Sequence, residues 1–264
     1  WSVSDDGKHL AYSTSAAGSD WQEWRVRNVD TGRNFGDRLR WVKFSGAAWR
    51  RDGSGFYYSR YDAPRSGKKM SGINLNQKLY FHRLGTSQST DDLVYHNADN
   101  PKWGYGASVT EDDRYLIITI WQGTDRRNRV YYRDLQSEDA EVVKLFDKFD
   151  ADYSFIGNDG KLFYLRTDLD APRGRVIAVE IGKPDKIKEI IPQAAETLRW
   201  ANHLNNQLIA NYLKDAHSQV KVFSLGGKME REISLPGIGS ASGFRGRSDA
   251  TETFYSFHSF TDPG

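Results

Sequence analysis

Cysteine is absent from the 264 residues. Disulfides, thiolate catalysis and cysteine-ligated metals are excluded with it. The compartment is not, because an oxidising compartment permits cysteine without requiring it. A charge excess is also missing: 37 basic residues stand against 35 acidic ones, a formal charge of +2. No strong field therefore draws the chain toward nucleic acid or anionic lipid. No apolar run approaches the roughly 20 residues of a membrane helix. The opening WSVSDDGKHL is not a signal peptide. It lacks an initiator methionine and begins mid-pattern, so the expectation is an excerpt of something longer.

Catalytic and metal motifs are equally scarce. A serine hydrolase of α/β type places its nucleophile on a strained G-x-S-x-G elbow; GIGSASG (237 to 243) comes nearest and misses the spacing. The histidines (His9, His82, His96, His203, His217 and His258) are dispersed, with neither H-x-H nor H-E-x-x-H. They read as surface or turn residues, since zinc needs clustered ligands. The Asp-rich turns match no EF-hand loop, and turn propensity accounts for them. In TDRRNRVYYR (124 to 133) arginines alternate with tyrosines, which could mark a nucleic-acid surface. Strand alternation accounts for it too, with Arg127, Arg129, Tyr131 and Arg133 on one face and Val130 and Tyr132 on the other. These readings assign no catalytic residue, no metal and no cofactor. Helical periodicity is nearly absent: only PQAAETLRWANHL tempts, and its spacing is poor.

What the chain does have is a repeat. Short polar turns precede aromatic or aliphatic runs in SDDGKHLAYS, RRDGSGFYYS, TEDDRYLIIT, GNDGKLFYLR, LNNQLIANYL and RSDATETFYSF, at intervals of 46, 60, 47, 46 and 44 residues. Asp-Gly and Asn-Asn tolerate positive φ and, flanked by alternating residues, signal β-hairpins. A second run follows each restart except the last: EWRVRNVDTG, QKLYFHRLG, NRVYYRDLQ, GRVIAVEIG, QVKVFSLGG. A weaker third follows most of these, as in DDLVYHNAD and AEVVKLFDK. Four short strands per 40 to 50 residues is the pattern of a β-propeller. The fold expected is all-β: a propeller of four-stranded antiparallel blades, about five complete and half of a sixth, forming one domain over 1–264 that is truncated at both ends.

In WVKFSGAAWRRDGSGFYYSRYD (41 to 62), Trp41 to Trp49 is expected as the innermost strand of a blade. Asp52 to Gly55 is then the turn and Phe56 to Tyr61 the next strand, so the GSG is a turn and not a phosphate cradle. RSGKKMSGINLN (65 to 76) reads as a loop insertion. The 8 tryptophans and 14 tyrosines are expected to fill the wedges between blades.

Several segments go beyond a generic propeller. AGSDWQEWRVRNVDTG, WVKFSGAAW, FYYSRYD, NQKLYFHRLGTSQSTDDLVY and NPKWGYGASVTEDDRYLIITIWQGTDRRNRVYYRDL, in order, resemble the prolyl oligopeptidase family of serine peptidases, with weaker agreement to FYSFHSFTDPG. The resemblance implies a seven-bladed propeller capping an α/β-hydrolase domain, absent from this chain, that carries Ser, Asp and His. It implies a peptidase cutting short peptides after proline, the propeller limiting access. Short proline-containing peptides and the hydrolase domain of the same protein would be the partners, with no nucleic acid and no membrane. The expected compartment is the cytoplasm, the periplasm remaining open.

Residue by residue, the resemblance implies that Phe44 faces the bound peptide near the proline pocket. Asp20 would pair with a substrate-binding arginine of the hydrolase domain, a bidentate geometry that positions the guanidinium for a peptide carbonyl. Gly104 stands where some members carry methionine, and Trp121 and Thr124 where some carry arginine and cysteine. An aromatic Trp121 in place of a cation should weaken a preference for acidic peptide ends. The alternative is a non-catalytic propeller that binds a protein or peptide.

Overall fold

The structure, a computed structural model, describes residues 1–16, 18–64, 73–137 and 139–260. The expected insertion at 65 to 76 lies largely outside them. The chain forms two compact units, Trp1–Lys148 and Phe149–Gly264.

The first unit holds three four-stranded antiparallel sheets, each a meander of consecutive strands. β1 (Ser2–Val3), β2 (His9–Ser15), β3 (Gln22–Asn28) and β4 (Asn34–Val42) make the first; β5 (Ala48–Trp49), β6 (Gly55–Arg60), β7 (Lys78–Arg83) and β8 (Asp92–Tyr95) make the second. β9 (Trp103–Val109), β10 (Tyr115–Gln122), β11 (Arg129–Asp134) and β12 (Val143–Phe146) make the third. The second unit repeats the design. β13 (Tyr153–Asp159), β14 (Leu162–Thr167), β15 (Arg175–Glu180) and β16 (Ile187–Ile191) form one sheet. β17 (Thr197–Leu204), β18 (Gln207–Lys214), β19 (His217–Ser224) and β20 (Met229–Ile233) form the next, and β21 (Ser240–Arg245) pairs with β22 (Phe254–His258) in a two-stranded sheet. Five meanders and half of a sixth are the blades that the turn spacing predicts. Among the described residues the only helix is a 3₁₀ turn, Gln88–Thr90; the tempting TLRWANHL is strand β17.

The turns behave as their residue types demand. Gly7, Gly53 and Gly160 adopt φ of 74°, 69° and 54°, and Asn205 and Asn206 both turn left-handed at 50° and 52°. Asp6, Asp52 and Asp112 each accept the amide two residues on, at 3.1, 2.9 and 3.1 Å. Those carboxylates serve the local Asx bond that makes aspartate a turn residue.

Central strands are buried on both faces, which is why they read as unbroken apolar runs: all of Gly55–Ser59 in β6 and Tyr115–Ile118 in β10 are buried. Aromatics fill the space between neighbouring sheets. Trp24, Trp49, Phe56 and Tyr58 pack with Ala11, Val26, Leu39 and Val42 between the first and second, and Trp49 meets Phe56 edge-on at 4.9 Å. In the second unit, Tyr164, Val176, Leu198, Leu208 and Tyr212 occupy the corresponding place.

Three expectations are corrected. Trp41 to Trp49 is not one strand: Trp41 and Val42 end β4 of the first sheet, and only Ala48–Trp49 begins the second. The chain must leave one sheet for the next inside this stretch, and Trp41 (φ 61°) and Phe44 (φ 53°) break the extended conformation. Arg127 lies before β11 and pairs with Asp125 at 2.6 Å, while Tyr131 is fully buried; the alternation of TDRRNRVYYR is not a simple two-faced strand. His82 is neither surface nor turn: it is fully buried within β7.

Candidate functional site

Phe44 belongs to the short connection between β4 and β5. Its side chain is 60% exposed, although it is large and apolar. A left-handed backbone costs a non-glycine residue about 1–2 kcal/mol, so something over-determines this conformation. The surroundings show what does. Gln77, fully buried, donates from Nε2 to the Lys43 carbonyl at 2.9 Å and accepts the Tyr105 amide at 2.7 Å. Ser45 Oγ accepts the Ser59 amide at 2.7 Å, and Ser59 Oγ donates to the Tyr105 carbonyl at 2.7 Å. Both backbone groups of Tyr105 are thus spent on side chains that tie the Phe44 connection to β9.

Aromatic packing holds the other flank. Trp21 meets Trp41 edge-on at 5.9 Å and Tyr61 edge-on at 6.0 Å, and the Tyr61 amide donates to the Trp41 carbonyl at 2.9 Å. Lys43 places Nζ 4.3 Å from the centre of the Trp21 ring. Asp20 directly precedes Trp21 and is exposed; it forms no ion pair among the described residues. Trp21 and Lys43 therefore bring the neighbours Asp20 and Phe44 into one region, and Gln77 joins that region to β9.

Gly104 and Trp121 are direct cross-strand partners in the β9–β10 pairing. The Trp121 indole lies on Gly104 so closely that a Cβ there would fall 2.4 Å from Cε2, and one on Gly106 would fall 3.3 Å from Cζ3. The two departures from the family pattern are one feature: the indole occupies the room that the glycines vacate. Thr124 is exposed in the turn that follows β10, after Gly123 at φ 59°.

Burial, the largest influence, pushes the Tyr105 phenol up to about 12; its oxygen accepts the Asn97 amide at 3.1 Å. It is a neutral structural hydroxyl at any ordinary pH. A second buried polar group escaped the sequence reading. His82 contacts Asp37 through Nε2 at 2.8 Å and Asp91 through Nδ1 at 2.7 Å, all three side chains wholly buried. Asp91 accepts from Tyr58 at 2.6 Å, and the Gly85 amide donates to Asp37 at 2.6 Å. Burial alone would lower the His82 pKa, but the two carboxylates outweigh it and raise it to about 9. The imidazolium bridges β4 of the first sheet and β7 of the second. A polar residue inside an apolar run (Ser59 in GFYYSR, His82 in KLYFHR) was the available signal for both networks.

Consecutive four-stranded meanders with aromatic wedges are propeller blades, and the comparisons define which kind. The family model for the prolyl oligopeptidase N-terminal β-propeller domain matches residues 1–264. A prolyl endopeptidase from Elizabethkingia meningoseptica is 37% identical over 99% of this chain, and one from Elizabethkingia miricola is 36% identical over 99%. The chain spans 37% of the length of each. A solved structure from a study of two prolyl endopeptidases superposes with a TM-score of 0.92 at 37% identity, covering 100% of this chain and 38% of that one. Ligand-free prolyl oligopeptidase B from Galerina marginata gives 0.89 at 29% identity, covering 100% and 38%. The chain belongs to the prolyl oligopeptidase family and is β-propeller in fold.

Proposed function

We propose that this chain is the gating and substrate-contacting propeller of a prolyl-specific serine oligopeptidase that hydrolyses short peptides on the C-terminal side of proline. The observation that carries the reading is Phe44: a solvent-facing aromatic kept at positive φ by buried side chains. Backbone strain that the surroundings maintain points to a functional position, and packing does not explain an exposed ring. A relative, prolyl oligopeptidase B from Galerina marginata, has been solved bound to a 35mer hydrolysis and macrocyclization substrate, which supports peptide as the ligand class.

In this reading Phe44 presses on the peptide near its proline, and Trp121 on Gly104 lines the same subsite with Thr124 at its rim. Asp20 holds an arginine of the hydrolase domain. The triad of that domain does the acyl transfer: serine attacks, histidine serves as general base, and water releases the acyl group. The protein acts in the cytoplasm, and the chain contributes one propeller domain over 1–264. In the full-length protein, Phe44→Ala should lower kcat/KM on a proline peptide about tenfold, the scale of a lost aromatic contact, with the fold intact by circular dichroism. An unchanged value removes Phe44 from the pocket. A serine-reactive phosphonate that labels nothing in an active-site titration would instead leave a binding scaffold.

A further inference from the structure

Glu23 on β3 receives three arginines. Arg25 donates to Oε1 from Nη2 at 2.8 Å, Arg38 to Oε2 from Nε at 2.6 Å, and Arg40 approaches Oε2 with Nε at 3.4 Å. Three guanidiniums meet one carboxylate, so two positive charges stay uncompensated within the cluster. Arg38 hydrogen-bonds Glu23 through Nε, and Nε is also the nearest approach of Arg40. Their side chains are 50% and 51% exposed, and the amino ends of both forks have no protein partner among the described residues. Arg38 and Arg40 share one face of β4 because they are two residues apart, while Leu39 between them is core. Register sets the pairing too, with Arg25 directly across from Arg38.

Arg38 and Arg40, with Glu23 between them, line a pocket of about 440 Å³ whose other walls include Thr14, Trp21 and Trp41. A second observation has the same sign. Lys43 is only 8% exposed, and among the described residues its partner is the Trp21 ring rather than a carboxylate. Buried charges are ordinarily paired, so Lys43 adds a further cation against the Trp21 ring that no carboxylate offsets among the described residues. Edge-strand arginines also guard against edge-to-edge pairing. That duty needs neither a concave site nor a tryptophan wall, and Gln88 already covers the edge by bonding the amide and carbonyl of Arg40 at 3.0 Å each.

We propose that Arg38 and Arg40 form a carboxylate-binding subsite that receives the free C-terminus of a peptide whose chain runs over Trp41 toward Phe44. The amino ends of each guanidinium suit carboxylate recognition, and the half-buried Trp41 offers an apolar surface to the residue that bears the carboxylate. The subsite rests on the peptidase reading above.

The test uses the full-length protein and one proline-containing peptide made twice, with a C-terminal carboxylate and with a C-terminal amide. For the wild type, kcat/KM should favour the carboxylate form by about three- to tenfold, the range for two half-exposed charge pairs, and added salt should shrink the ratio. In R38Q/R40Q the ratio should fall to about one while the amide peptide keeps its rate. R38K/R40K should keep part of the preference. A wild-type ratio of one, or an equal loss on both peptides in R38Q/R40Q, overturns the subsite; the latter would mean the arginines only hold structure or the neighbouring domain. If the wild type cleaves neither peptide, the peptidase reading fails. Titration calorimetry with the same two peptides then decides the subsite, tighter binding of the carboxylate form supporting it and equal binding overturning it.

Discussion

The Trp121 indole lies flat enough on Gly104 that a single added carbon at residue 104 would come within 2.4 Å of Cε2. The two residues face each other across β9 and β10, so residue 104 cannot grow unless residue 121 shrinks or moves. Gly104→Ala should destabilise the protein by about 1–3 kcal/mol, the cost of overpacking a filled site. Trp121→Ala in the same molecule should return most of that loss. A double-mutant cycle read by denaturant unfolding should give a coupling of about 0.5–3 kcal/mol. Additive losses would mean the ring swings away freely and the pair is not a unit.

His82 links the first and second sheets through two buried carboxylates, and its charge fixes how stability depends on pH. Its pKa is raised from 6.5 to about 9, so the folded state binds the proton more tightly than the unfolded one. That contribution is complete below about 6.5 and disappears as pH climbs through about 9. Asp37 behaves oppositely: burial favours its neutral form, but His82 and the Gly85 amide hold its pKa below the usual 3.8. Its contribution is present above 3.8 and is lost as pH falls through the lowered value. Thermal melts should therefore show Tm falling between about pH 6.5 and 9. His82→Gln should remove most of that slope and cost about 3–5 kcal/mol at neutral pH, because two carboxylates are left buried. A wild-type slope identical to the variant's would show that the imidazole is neutral in the folded protein.

Gly55 starts β6 where a Cβ would collide with the His82 carbonyl at 2.1 Å. The obstacle is backbone in the partner strand, which cannot rotate away. Gly55→Ala should cost several times more than the roughly 0.5–1 kcal/mol that alanine ordinarily gains over glycine in a strand. Gly32→Ala, with open space but φ 67°, should lose only about 1 kcal/mol. Comparable midpoints in a denaturant series would refute the close approach.

The repeat was legible because hairpin turns need particular residues at particular places. Asn205-Asn206 and Asp52-Gly53 announce positive φ locally, and the strands they join announce burial by unbroken apolar runs. The change of sheet inside WVKFSGAAW was not legible. Trp41 and Phe44 are poor left-handed residues by local preference, and what holds them there comes from Gln77 and Ser59, over 30 and 14 residues away in sequence for their own contacts. Gly104 and Trp121 could be seen as two departures from the family pattern. Only the register, which depends on the Asp112-Asp113 turn, makes them neighbours. The Asp37–His82–Asp91 bridge was hidden for the same reason: Asp37 and His82 lie 45 residues apart, and a lone histidine in a strand gives no sign of its partners.

Gln77 is the residue on which the Phe44 connection depends most. Among the described residues its amide is the sole side chain that bonds both the Lys43 carbonyl and the Tyr105 amide, at 2.9 and 2.7 Å. Gln77→Leu fills the same space but leaves a buried carbonyl and a buried amide without partners, at about 1–3 kcal/mol each. Gln77→Glu keeps the acceptor for Tyr105 and withdraws the donor from Lys43, so the charge is buried against a carbonyl and the connection carrying Phe44 is repelled. Both variants should lose stability. Under the peptidase reading, Gln77→Glu should also raise KM for a proline peptide more than it lowers kcat, since it misplaces a binding residue and touches no catalytic group. Measured on the full-length protein at a temperature where both forms stay folded, an unchanged KM would mean that Phe44 keeps its place without Gln77. The left-handed turn would then be held by Ser45, Ser59 and the Trp21–Trp41 packing alone.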